Sequence, residues 1–281
     1  MFGDKQGQQV GSGAIAVQAG GNIQFGPSIR EMREVFELLL QANFPVLREE
    51  ARAAAIESAN EFIRKMEKKI IESSARINPA RFRDPDVQAT MNDAVQASAR
   101  RGASANQEIL CELISQRIST HAGDYKDIVI SEAVQVVPKL TAQQISLLTL
   151  VHFVRHIRVV SDNPLAPHEA LAKGVASFCA PSDNISDSQK AHIQYAGAGL
   201  HINGFTSDPY ENLFEDYKDR GFADVSALKA SLSACPAIES LYEQYIRNKL
   251  GSMTLTSVGQ AIALSKIAGV VPDLDFSIWL K

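Results

Sequence analysis

The sequence predicts a mainly α-helical protein, and three observations predict it. Apolar residues recur at three- and four-residue spacing along most of the chain. Hydroxyl residues followed three positions later by Gln or Glu open several of these stretches, and Pro or Asn-Pro phrases close them. The expected architecture is a long antiparallel helical hairpin and a compact C-terminal helical domain, with a small N-terminal β-hairpin. Residues 1–27 form the tail and hairpin in this reading, 28–138 a long-helix domain and 139–281 the C-terminal domain, with a soft boundary near Pro138.

The bulk numbers set limits before any motif is read. A 281-residue chain with 45% hydrophobic and 21% charged residues is globular and long enough to bury a sizeable core. A net charge of −4 supplies no overall field toward nucleic acid or anionic lipid, which leaves only local basic patches for such partners. Cys111, Cys179 and Cys235 are odd in number and far apart. That pattern predicts reduced thiols in a cytoplasmic protein rather than a disulfide framework. The first residues are polar and glycine-rich without a signal-peptide core, so secretion is not expected.

The N-terminal stretch holds two short apolar runs, Ala14-Ile-Ala-Val-Gln-Ala19 and Asn22-Ile-Gln-Phe25, around Gly20-Gly21. Both glycines tolerate positive φ, so the pair reads as a hairpin turn. One small hairpin is marginal in water and needs a surface to dock on. Val17, Gln18, Gly20, Gly21, Ile23 and Phe25 are therefore the oligomerisation candidates.

Ser28 with Glu31 predicts a helix to about Ala42. From Pro45 a long helix should run to about Ile77, where Asn78-Pro79 stops it. Its seam is Leu47, Ala51, Ala55, Ala59, Phe62, Met66, Ile70 and Ile77, with Arg64, Lys65, Glu67, Lys68 and Lys69 as a solvated face. Asp84-Pro85 opens the returning helix, whose seam is Val87, Met91, Ala94 and Val95. Gly102 interrupts it, and Ser104 with Gln107 restarts a helix carrying Ile109, Leu110, Leu113, Ile114 and Ile118. A further helix opens at Asp124 and Asp127 and ends at Pro138.

Leu140 to Val160 is the expected axis of the C-terminal domain. Thr141 and Gln144 make a capping box, and apolar residues then occupy nearly every face. Roughly sixteen residues at ~1.5 Å each reach about 24 Å, short of a ~30 Å hydrocarbon core. His152, Arg155, His156 and Arg158 would also be costly in lipid, so no membrane span is expected. Helices follow over His168–Phe178, Asp187–Ala196, Pro209–Tyr217, Val225–Leu232 and Pro236–Leu250, with a last one from about Thr256 to Gly269 after a short strand. Phe276 to Leu280 reads as a terminal strand or a docked extension.

The motifs do not disclose a reaction. His152 and His156 have metal-ligand spacing, but Arg155 and Arg158 oppose a cation and the remaining histidines are scattered. Gly11-Ser-Gly13-Ala-Ile-Ala16 lacks the strand before and the helix after that dinucleotide binding requires. Ser226-Ala-Leu-Lys229 has no Lys-Thr-Gly downstream as a penicillin-recognising serine enzyme needs. The expectation is a non-enzymatic protein with no cofactor and no metal. A nucleic-acid reading is the alternative. Leu140-Thr-Ala-Gln-Gln-Ile and Met253-Thr-Leu-Thr-Ser-Val-Gly259 are similar to phrases of winged-helix regulators, and Arg81, Arg83, Arg100 and Arg101 are its phosphate-contact candidates.

Two regions carry a family resemblance. Val17-Gln-Ala-Gly-Gly-Asn-Ile23 is similar to a Gln-Ala-Gly-Gly-Asp-Ile tag that starts many defence-associated proteins, with Asn22 in place of the usual Asp. Leu255-Thr-Ser-Val-Gly-Gln-Ala-Ile-Ala263, with Leu274-Asp-Phe-Ser-Ile-Trp279, resembles the tail of abortive-infection proteins. The chain thus resembles a poorly characterised bacterial family from mobile-element and anti-phage defence regions. The resemblance covers the two ends and Leu140–Val151. It implies a setting rather than a reaction, with a protein partner in a defence system as the expectation, and it offers no catalytic residues; the homo-oligomer is expected from the hairpin's need of a surface. The expected function is that of a self-associating protein acting by assembly or partner binding.

Overall fold

The computed structural model describes residues 29–43, 49–120, 123–202, 206–271 and 274–280. The fold is mainly α: among the described residues it has twelve α-helices and one two-stranded antiparallel sheet. The predicted N-terminal hairpin, the Ser28 cap and the Pro45 helix start lie outside the described residues.

The helical hairpin is formed by α2 (Glu49–Glu72) and α3 (Pro85–Arg101). A connection of only twelve residues turns the chain back, so the two helices lie antiparallel and pack along their seams. The α2 seam is narrower than its sequence suggests: Ala55, Ala59, Phe62, Ile63 and Met66 are buried, whereas Ala51 is exposed. α2 also ends five residues before Ile77. Pro79 biases Asn78 to extended backbone, and Ile77 is extended too, forming a β-bridge with Ser119. Asp84 caps α3 through the Asp86 N–H at 2.9 Å, with Pro85 in the first turn. α1 (Ile29–Asn43) lies on this pair, where Phe36 meets Phe62 edge-on at 6.1 Å.

α4 (Gln107–Arg117) does not start on a Ser104 capping box. Ser104 sits in a 3-10 turn over Gly102–Ala105, and Asn106, left-handed at φ 56°, precedes the helix. The turn is tightened by the Asn106 N–H bonding to the Ala103 carbonyl at 3.2 Å. α5 (Asp124–Val136) and α6 (Ala142–His156) follow. The Thr141–Gln144 capping box forms as expected. Residues 144–154 of α6 are all buried, and Ser146 and Thr149 satisfy their hydroxyls on the carbonyls of Ala142 and Ile145.

Beyond α6 come α7 (Leu165–Cys179), α8 (Asp187–Tyr195), strand β1 (Gly199–His201), α9 (Pro209–Tyr217), α10 (Val225–Leu232), α11 (Pro236–Arg247), strand β2 (Met253–Leu255) and α12 (Ser257–Ile267). α12 packs on α6 and equally reaches back to α5 and α4, so the buried apolar residues form one continuous core on both sides of Pro138. The tail is docked rather than a strand: Phe276–Ile278 is a 3-10 turn started by Asp275, whose carboxylate accepts the Ser277 N–H at 2.9 Å. No helix among the described residues is long and apolar enough to cross a membrane.

Candidate interaction surface

The region with the most distinctive geometry is the β1–β2 ribbon. Its strands pair Gly199 with Leu255, Leu200 with Thr254 and His201 with Met253. Alternation along a strand puts Gly199, His201, Met253 and Leu255 on one face; Gly199, Met253 and Leu255 are buried, and His201, at the strand's end, is exposed. The inward face is closed by the phrase Leu255-Thr-Ser-Val-Gly259. Thr256 caps α12 through the Gly259 N–H at 3.1 Å, donates its hydroxyl to the Gly197 carbonyl at 2.6 Å, and its own N–H bonds Ala198 at 3.3 Å. Gly259 lies so close to this turn that a Cβ there would stand 1.8 Å from the Ala198 carbonyl oxygen. Threonine and glycine in this phrase therefore clamp the turn before β1 onto the start of α12.

The opposite face is open. Leu200 and Ile202 project to solvent at 47% and 48% exposure, beside half-buried Ser252 and Thr254. Tyr195, at the end of the helix packed on β1, is 86% exposed. Scattered apolar residues on a surface are ordinary, but Leu200 and Ile202 share one face of the strand pair, and Tyr195 lies on the helix packed against it. The outer edge of β1 is not equally open, because Gln194 Oε1 accepts the His201 N–H at 3.3 Å.

The four arginines of the nucleic-acid reading do not form one surface. Arg81 and Arg83 lie before α3, and Arg100 and Arg101 at its far end, about 25 Å away along a helix axis of this length. Arg81 is bound to Asp127 and to the Arg117 carbonyl at 3.2 Å. The neighbouring Arg117, 3% exposed, bonds Asp86 at 2.5 Å and Ser131 at 3.2 Å and lies 3.3 Å from Asp127. This is an internal ionic brace joining α3, α4 and α5, and it occupies Arg81. Arg83, Arg100 and Arg101 are exposed. The helices that open with the winged-helix-like phrases, α6 and α12, are largely enclosed by the core.

The His152–His156 pair is covered by the tail. Their rings lie 5.2 Å apart, and Trp279 stands edge-on to His152 at 5.9 Å while donating to the His156 carbonyl at 3.4 Å. Neither ring nitrogen of His152 has a hydrogen-bond partner. Burial pulls its pKa down to about 3, with a smaller contribution from His156. Burial also lowers His156, helped by Arg155 and Arg158. His168 Nδ1 and the Tyr217 hydroxyl share a hydrogen bond at 3.2 Å, and the same hydroxyl accepts the Val159 N–H at 2.9 Å; burial lowers the His168 pKa to about 4. Among the described residues no group of three or more His, Cys, Asp or Glu side chains is placed to hold a metal.

An open groove of about 430 Å3 runs between α2, α4 and the end of α12. Lys65 and Lys69, which the sequence places on a solvated face, line it instead and pair across to Glu108 and Glu112 of α4. Lys266 is stacked over the Phe178 ring at 4.8 Å. Lys229 of the serine-enzyme-like phrase is likewise over an aromatic ring, that of Tyr210, at 4.5 Å.

With this geometry in place, comparison with known proteins gives one match. A family model whose description names no activity aligns with residues 26–230 and again with residues 223–280. The chain belongs to that family. No curated protein and no solved structure is significantly similar to it. The matched span takes in every described residue, so the ionic brace, the α12 clamp and the ribbon all fall within the family's fold. The oligomerisation candidates Val17, Gln18, Gly20, Gly21, Ile23 and Phe25 precede the matched span and lie outside the described residues. The ribbon face was missed in the sequence because β1 is three residues long and its partner strand is more than fifty positions away.

Proposed function

We propose that this protein is a non-enzymatic, self-associating bacterial protein that works by assembly or by binding a protein partner in anti-phage defence. The observation that carries the reading is the uncharged outer face of the β1–β2 ribbon, where Leu200 and Ile202 stay half exposed while Gly199, Met253 and Leu255 behind them are buried. An apolar patch on an otherwise well-packed body marks a protein contact. The hairpin expected from the sequence around Gly20-Gly21 supports the same reading, since one small hairpin is marginal in water. The defence setting rests on the resemblance of the two chain ends. A cytoplasmic location is supported by three buried free cysteines, two of them with thiol pKa pushed up to about 12 by burial.

Light scattering across a concentration series tests the assembly reading. The expected result is a mass that rises above that of the 30.6 kDa chain in the micromolar range. A constant monomer mass, together with no protein partner recovered from phage-challenged bacteria, would end it. Phage plating on cells with and without the gene tests the setting, and equal plating of every phage would remove it.

A further inference from the structure

We propose that the solvent face of the β1–β2 ribbon receives residues 14–25 of a second copy of this chain. This inference rests on the self-association reading and adds the place and the partner. Leu200 and Ile202 stand two positions apart on one face, with Ser252 and Thr254 opposite them, and none of the four is charged. Residues 14–25 also contain no charged side chain, and their apolar residues recur at the same spacing of two, as Ile15 and Val17 and as Ile23 and Phe25. A neutral alternating segment matches a neutral alternating face. The lysine- and glutamate-lined groove between α2 and α4 would instead strip water from charges.

The chain geometry favours exchange between copies. Only residues 26–28 separate the segment from α1, a tether of about 13 Å at ~3.3 Å per residue, so the segment can dock only near the start of the α1 that carries it. α1 itself packs on α2 and α3, whereas the ribbon packs on α6, α8 and α12. Reciprocal exchange about a two-fold axis makes the contact twice per dimer and leaves no open end. The contact is made on the face and not on the edge, because Gln194 already occupies the outer His201 N–H.

The test uses the full chain, a Leu200→Glu/Ile202→Glu double variant and a chain lacking residues 1–26, measured by light scattering and native mass. Both positions are about half exposed, so the double variant should keep the wild-type helical circular dichroism and thermal midpoint. Each altered chain alone should self-associate about tenfold or more weakly than wild type, since one places charges in the contact and the other lacks the segment that fills it. Mixed together they should form a one-to-one complex, because one supplies the segment and the other the face. Gln194→Ala should associate as wild type does. If the wild-type chain assembles but the double variant assembles equally well, the proposed contact is wrong and self-association stands. Monomeric wild type whose ribbon amides lose exchange protection on deletion of residues 1–26 would mean the segment docks within its own chain. That outcome overturns both the second-copy contact and the assembly reading.

Discussion

The two faces of the β1–β2 ribbon differ in how far they are covered. On the inner face Gly199, Met253 and Leu255 are sealed against α6 and α12, with Gly259 close enough to the Ala198 carbonyl that no side chain fits between. On the outer face Leu200 of the same short strand and Ile202, just past its end, stay half exposed. A three-residue strand has little stability of its own, so its position is set from the inside. The outer face is then free to carry side chains that the fold does not need. Buried and exposed positions thereby alternate from Gly199 to Leu200 within one strand.

That division can be broken from the inside first. Gly259→Ala should have the largest effect, costing at least ~3 kcal/mol in thermal or denaturant unfolding, because the clash is with backbone that cannot rotate away. A wild-type midpoint for this variant would mean that the turn before β1 is not clamped to α12. Thr256→Ala removes a helix cap and the bond to Gly197 together, and should cost ~1–2 kcal/mol by the same measurement.

The inner side also predicts a pH dependence. His152 has a folded pKa of about 3, below the ~6.5 of an unfolded histidine. Its neutral form is the one that fits the core, so its contribution is complete above pH ~6.5 and is lost as pH falls through that value toward 3. Unfolding free energy should drop by about 1 kcal/mol per pH unit from this residue below pH 6, with His168 adding to the slope. His152→Leu should flatten the dependence by one proton while keeping the fold at pH 7, since neither nitrogen bonds anything. An unchanged slope would place the acid sensitivity elsewhere.

The outer face should give the smallest effect. Leu200→Glu/Ile202→Glu should shift the stability of dilute protein by no more than ~0.5 kcal/mol, since exposed positions away from caps and cores rarely do more. A loss near that of Gly259→Ala would show that both faces of the ribbon hold the fold.

Legibility in the sequence followed how local the causes were. α9 and α10 run over the predicted residues because Asp208 and Asp224, immediately before them, accept the N–H groups of Tyr210 and Ala227 at 2.8 Å. The Thr141–Gln144 and Ser186–Gln189 boxes are equally self-contained. Ser104 was a misleading signal because the following Asn106 turns left-handed and takes the N-cap position. Arg81 looked available for phosphate because its partner, Asp127, is 46 residues away.

By itself, then, the chain's pattern determined that the protein is helical, where most helices begin, and that α6 lies in the core, since capping and periodicity act within a few residues. Only the tertiary structure decided that α12 reaches across to α4 and α5, that Arg81 and Arg117 are tied into an internal brace, and that Leu200 and Ile202 share an open face. These depend on which distant segments meet, and a meeting of that kind leaves no periodic mark in either segment alone.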